Sequence, residues 1–319
     1  MPKRSLFVLL KLLYTILVLN GGSGQRHLFQ FGNHRYNHTR ERITVMNDSA
    51  EKYPVPPRNR SQLRIGLGRL YFTWHRYFDW IFSGKQYAKQ IKTDDLLSYT
   101  VMSHQTPLLR QLRNVDMELQ YNKITNLQLA CSCMNGLILQ PGETFSFWKL
   151  VGKPTRKKGY LDGMVLCNGG FYAGTGGGLC QLSNLIYWMS VHTPLTVTER
   201  WRHNYDVFPD SNRTQPFGSG ATVSYNYIDL QIRNDTRSTY QLMVGLDEQF
   251  LYGEWLSSQP LAERYEVYER EHIIKAEWWG GHTRQNVLFR KVFDLNGRET
   301  GNEFVCANQA IMMYEPMLE

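Results

Sequence analysis

GTGGGLCQLSNLIYWMSVH, residues 174–192, joins a glycine-rich turn to an apolar run with the period of a helix. Gly176, Gly177 and Gly178 interrupt any regular element, and Leu182, Leu185, Ile186 and Met189 follow at helical intervals. The pattern predicts a loop feeding a buried helix, with Cys180 in its first turn. Unpaired N–H groups and the positive end of a helix dipole favour a thiolate there, so the expectation is a lowered thiol pKa. The three glycines would leave room for a substrate backbone and offer amide donors to an oxyanion, with Gln181 as a further donor or simply a helix cap.

A nucleophilic thiol needs a base, usually an imidazole, and commonly a third polar group to orient that ring. Of nine histidines, His203 is best placed, because LTVTERW (195–201) alternates like a strand and delivers it just beyond the helix. ATVSYNYIDL (221–230) alternates in the same way and reads as a return strand carrying Asp229 as the orienting carboxylate, with Asp206 as the rival. A helix-start cysteine, then a histidine, then an acid on later strands resembles the order in transglutaminase-like and NlpC-type cysteine peptidases. Each residue also has a plain structural reading: a buried cysteine, a histidine whose protonation Arg200 and Arg202 oppose, and a salt-bridged aspartate.

The flanks complete an α+β expectation: a cysteine-headed helix packed on an antiparallel sheet, with N-terminal helices and a C-terminal β-meander. Residues 1–60 read as a signal-like or disordered extension, with a basic start, an apolar run over 6–19 and a glycine cluster at 21–24. That run is too short and too interrupted by Lys11 for a membrane span. Residues 61–114 form an aromatic and basic helical segment whose apolar residues do not divide cleanly onto one face; it would lie on a membrane surface or dock on the main body. Residues 107–136 predict two helices broken near Asn122 and capped near Gly136. The core domain spans 115–258. Over 259–319, apolar alternations separated by Gly280-Gly281 and Asn296-Gly297 predict antiparallel hairpins.

A hydrophobic content of 42% with 13% aromatics argues for a folded chain rather than a disordered one. The net charge of +8 is concentrated at the front: residues 1–92 hold 16 Lys and Arg against 4 Asp and Glu, and the remainder 20 against 24. Such a front end suits a membrane surface or an anionic wall polymer, and no nucleic-acid-binding motif accompanies it, so nucleic acid is not an expected partner. Five cysteines, an odd number in a long chain, do not read as a disulfide framework, and Cys131 and Cys133 read as buried helix residues. No HExxH or paired CxxC is present, so neither metal nor cofactor is expected. The thiol count leans towards the cytoplasm and the signal-like start towards the cell envelope.

Five collinear blocks carry a family resemblance: PGETFSFWKLVG (141–152), the turn into KKGYLDG, the 174–187 run, ERWRHNYDVFP (199–209) and PFGSGATVSYNYIDLQIRND (216–235). Their order and spacing resemble those of the VanW family of bacterial cell-envelope and glycopeptide-resistance proteins. The flanks resemble the version found in vancomycin-resistance clusters of the B type. The family's GGGxCQ motif falls on Gly176, Gly177, Gly178, Cys180 and Gln181, and its histidine after the ER pair on His203. Where many relatives carry an acid before the AT dipeptide, this chain has Gly220. The resemblance implies an accessory role in glycopeptide resistance or cell-wall metabolism. Two activities fit it: a cysteine-dependent amidase, peptidase or transpeptidase acting on peptidoglycan peptide, and a non-catalytic module binding peptidoglycan peptide, its precursor or a partner protein.

Overall fold

The computed structural model describes residues 61–109, 116–167, 169–209 and 215–316. The signal-like extension therefore lies outside the described residues, as do Leu112 and Val115 of the expected helical pattern. The chain divides into two compact units, Met1–Lys85 and Gln86–Glu319.

In the first unit, helix α1 spans Gln62–Phe82; Ser61 caps it by accepting from the Arg64 amide at 3.4 Å. Its helicity agrees with the sequence, and Ile65, exposed on the side opposite Leu63 and Leu67, leaves the division of its faces incomplete as expected. Leu63, Leu67, Leu70, Trp74, Phe78 and Ile81 are all exposed and recur every three or four residues, which places them on one side of the helix. Among the described residues, no helix is long and apolar enough to cross a membrane.

The second unit is α+β and built from three four-stranded sheets and a hairpin. The segment expected to be helical to residue 114 instead leaves α1 for strands β1 (Gln86–Tyr87) and β2 (Tyr99–Pro107). Helix α2 follows as one uninterrupted element, Met117–Ser132, capped by Asp116. The break expected near Asn122 does not occur, because that side chain points away from the helix backbone and donates to the Asp162 carbonyl at 3.1 Å. The next elements are β3 (Leu137–Leu139), β4 (Glu143–Ser146), the short helix α3 (Phe147–Val151), β5 (Asp162–Cys167) and β6 (Gly170–Thr175). Helix α4 (Cys180–Val191) leads to β7 (Thr196–Glu199), β8 (Tyr205–Asp206), β9 (Gln231–Arg233), β10 (Tyr240–Leu246) and β11 (Phe250–Ser257). Three long strands, β12 (Glu263–Ala276), β13 (His282–Asp294) and β14 (Glu299–Met312), end the chain.

The sheet orders are β1-β4-β9-β7, β2-β11-β10-β3 and β12-β13-β14-β8, with β5-β6 as the separate hairpin. Helix α4 packs on the second sheet, which is antiparallel throughout. Leu182, Leu185, Ile186 and Met189 are each at most 1% exposed, so the apolar spacing read from the sequence does mark a core helix. Gly253 of β11 admits it: Met189 and Leu185 occupy the space a side chain there would need. Trp255 of β11, fully buried, donates its indole N–H to the Ser190 hydroxyl of α4 at 3.0 Å. The C-terminal meander forms its own sheet with turns at the two glycine-bearing dipeptides, and β8 joins it parallel to β14.

The expected return strand over 221–230 is instead a turn. Ser224 and Ile228 exchange backbone hydrogen bonds of 2.8 and 3.1 Å across it, and the strand that pairs with β7 begins only at Gln231. Trp255→Ala, which removes a fully buried side chain and the donor to the Ser190 hydroxyl, is expected to cost about 3–5 kcal/mol, measured by equilibrium denaturation.

Candidate functional site

The glycine loop is held from three sides. Asn126 of α2, fully buried, donates to the carbonyls of Leu161 (3.0 Å) and Gly177 (2.9 Å) and accepts from the Leu161 amide (2.8 Å). Gly177 lies flat against Gly163 of β5, so a Cβ at either position would overlap the other's backbone. Gly176 and Gly178 both have positive φ, 78° and 92°; a side chain would meet Pro154 at the first and Lys123 at the second. Protein atoms thus fill the room beside each glycine. Lys123, buried behind the loop, donates to the Leu108 carbonyl at 2.5 Å and to Gln120 at 2.9 Å. Gln181 donates to Thr106 (3.0 Å) and the Pro107 carbonyl (2.9 Å), tying the helix start to the end of β2.

Cys180 is the first residue of α4, as its position after the glycines predicts. Its electrostatics differ from the expectation. Although the residue is only partly buried overall, burial pushes the thiol up, outweighing backbone interactions at Val223 and Cys180 itself that pull it down. Desolvation of the thiolate dominates at this site. The sulfur contacts the Val223 carbonyl at 3.6 Å as a donor.

Burial, and then the neighbouring Arg202 charge, push the His203 imidazole down to about 4. His203 makes no side-chain hydrogen bond with any described residue, so the structure does not join it to Cys180 or to Asp229. Asp229 is fully buried and accepts from the Ser146 hydroxyl (2.6 Å), the amides of Trp148 and Leu230 (3.0 Å each) and the Gln231 amide group (3.2 Å). Those bonds fix the start of α3. Asp206 accepts from Tyr314 at 2.9 Å and pairs with Arg284 at 3.5 Å. Among the described residues no group of three or more His, Cys, Asp or Glu is placed to hold a metal ion.

Sequence reasoning missed the residues that join the ER pair to the C-terminal sheet. Arg200 donates to the carbonyls of Gly218 and Gly220 and to Asn308 of β14, and its guanidinium lies 4.9 Å from the Tyr187 ring. Phe217 lies between Arg202 (3.7 Å) and Arg284 (4.4 Å) and stacks on His272. Gly220, where the family resemblance expects an acid, leaves its side-chain space to Asn184, which accepts from the Ala221 amide at 2.7 Å. The alternation of Arg with aromatic residues in 199–203 was the available signal, and it marks packing and cation–π contact.

At the C-terminal end of α4 lies a cleft of about 490 Å³, lined by Tyr99, Met102, His192, Glu263, Tyr265 and Asp294 among others. His192 donates through Nδ1 to the Trp188 carbonyl at 2.8 Å, which leaves Nε2 as an acceptor.

Comparison with known proteins places this architecture. Residues 122–256 match the family model described as VanW like protein, so that stretch of the chain is similar to the VanW family. A vancomycin B-type resistance protein, VanW, of Enterococcus faecalis (strain ATCC 700802 / V583) is 41% identical over 182 residues, which cover 57% of this chain and 66% of that protein. The uncharacterized protein YoaR of Bacillus subtilis (strain 168) is 32% identical over 109 residues, 34% of each chain. The chain thus spans just under two thirds of the first relative and about one third of the second. No solved structure matches it.

Two outcomes follow from this geometry. Gly177→Ala is expected to destabilise the fold by about 2–4 kcal/mol, seen as a lowered denaturation midpoint, because the Gly163 backbone cannot recede. For His203, the unfolded chain takes up a proton near pH 6.5 and the folded one only near 4, so stability falls as pH drops through that window. His203→Gln should remove on the order of 2–3 kcal/mol of that loss, read from denaturation curves at pH 7.5 and pH 4.5.

Proposed function

We propose that this chain is a non-catalytic accessory protein of glycopeptide resistance or cell-wall metabolism, acting by binding a peptidoglycan peptide or its precursor. The 41% identity to a vancomycin B-type resistance protein carries the first part of this reading. The electrostatics around Cys180 support the second. A thiol pushed up by burial and an imidazole pushed down by burial favour the neutral pair, the reverse of what thioester chemistry uses. The cleft at the C-terminal end of α4 suits a peptide better than the filled glycine loop does. It sets Tyr99 and Tyr265 beside acceptors on His192 and Glu263, a lining that takes apolar side chains and donated N–H groups together.

The competing reading, a cysteine-dependent amidase, peptidase or transpeptidase, needs a reactive thiolate at Cys180. Complementation of a resistance cluster lacking this gene separates the two. Cys180→Ser is expected to restore the full inhibitory concentration, whereas Tyr265→Ala combined with His192→Ala lowers it at unchanged protein level. Loss of resistance on Cys180→Ser, with the protein still folded and present, would overturn the binding reading in favour of catalysis.

A further inference from the structure

Helix α1 carries a feature that the proposed binding role does not use. Its stripe of Leu63 (72% exposed), Leu67 (38%), Leu70 (49%), Trp74 (53%), Phe78 (40%) and Ile81 (70%) faces outward. At 100° per residue these six positions fall within about 80° of arc, the width of one helix face. A soluble helix does not ordinarily leave such a continuous face in water.

Charge narrows what covers it. Residues 61–85 hold Arg64, Arg69, Arg76 and Lys85 against Asp79 alone, and Arg64, Arg69 and Lys85 are exposed. The sequence leading into the helix is basic as well, 10 positive residues against 3 negative over 1–60. A second copy of the helix would add to a region already strongly basic, whereas an anionic surface neutralises it. Length and composition also suit an in-plane helix: a 21-residue element too polar to span a bilayer, with a tryptophan in mid-stripe.

We propose that α1 is an interfacial helix that lays its Leu63–Ile81 stripe into an anionic lipid surface, with Arg64, beside the stripe, meeting the headgroups. The full chain is mixed with sedimentable vesicles of phosphatidylglycerol and phosphatidylcholine, and separately with phosphatidylcholine alone. Binding to the anionic vesicles is expected, with loss as salt rises. Leu70→Glu with Trp74→Glu should weaken it by about tenfold or more. Arg64→Glu should weaken it on anionic vesicles only. Leu63→Ser with Ile81→Ser gives a milder second pair, and an unchanged melting temperature verifies folding. If both apolar pairs sediment like the parent chain, the stripe is not the lipid contact and the proposal fails. It also fails if light scattering finds a dimer that Leu70→Glu with Trp74→Glu dissociates, since the stripe would then serve a second copy.

Discussion

One buried amide group holds the central region together. Asn126 spans from α2 to both the β5 strand entry and the glycine loop, bonding the Leu161 amide and the carbonyls of Gly177 and Leu161, the last of which also accepts from the Gly176 amide at 2.9 Å. A buried carbonyl or N–H left unmatched costs about 1–3 kcal/mol, so this single side chain fixes where the loop runs. With the loop fixed, Gly163 and Gly177 can touch, α4 starts at Cys180, and the apolar face of α4 meets the second sheet. The triple glycine answers to this packing.

Local periodicity was legible where one face of an element meets one neighbour. The α4 helix, β7, the meander turns and the helical character of 62–82 all follow from spacing or from turn residues. The turn over 221–230 did not, because its alternation resembles that of a strand while its geometry is set by Ser224 and Ile228 bonding each other. Asn122 likewise reads as a helix breaker until a distant carbonyl, that of Asp162, is there to take its amide. Contacts between residues far apart in sequence decide both cases.

For the site, the sequence identified the residues but not their environment. Cys180 stands where a reactive thiol would stand, yet solvent exclusion around the sulfur pushes its pKa up, which no spacing rule contains. Asp229 read as an orienting or salt-bridged carboxylate on a strand and is instead the acceptor for four donors around Ser146 and Trp148. The match of residues 122–256 to the VanW family model does not depend on any one ionisation state.

The insertion of Phe217 between Arg202 and Arg284 ties the family domain to the last three strands of the chain. Asn286 adds to this by donating to the Phe217 carbonyl, as does Asn308 by accepting from Arg200. The terminal sheet is therefore not a detachable appendage. Severed from it, the 216–220 segment would lose one wall of an aromatic slot and the acceptor that steadies its arginine clamp. Any relative that ends after β11 must close that seam with different residues, so the boundary of the family match is not a boundary of cooperative folding in this protein.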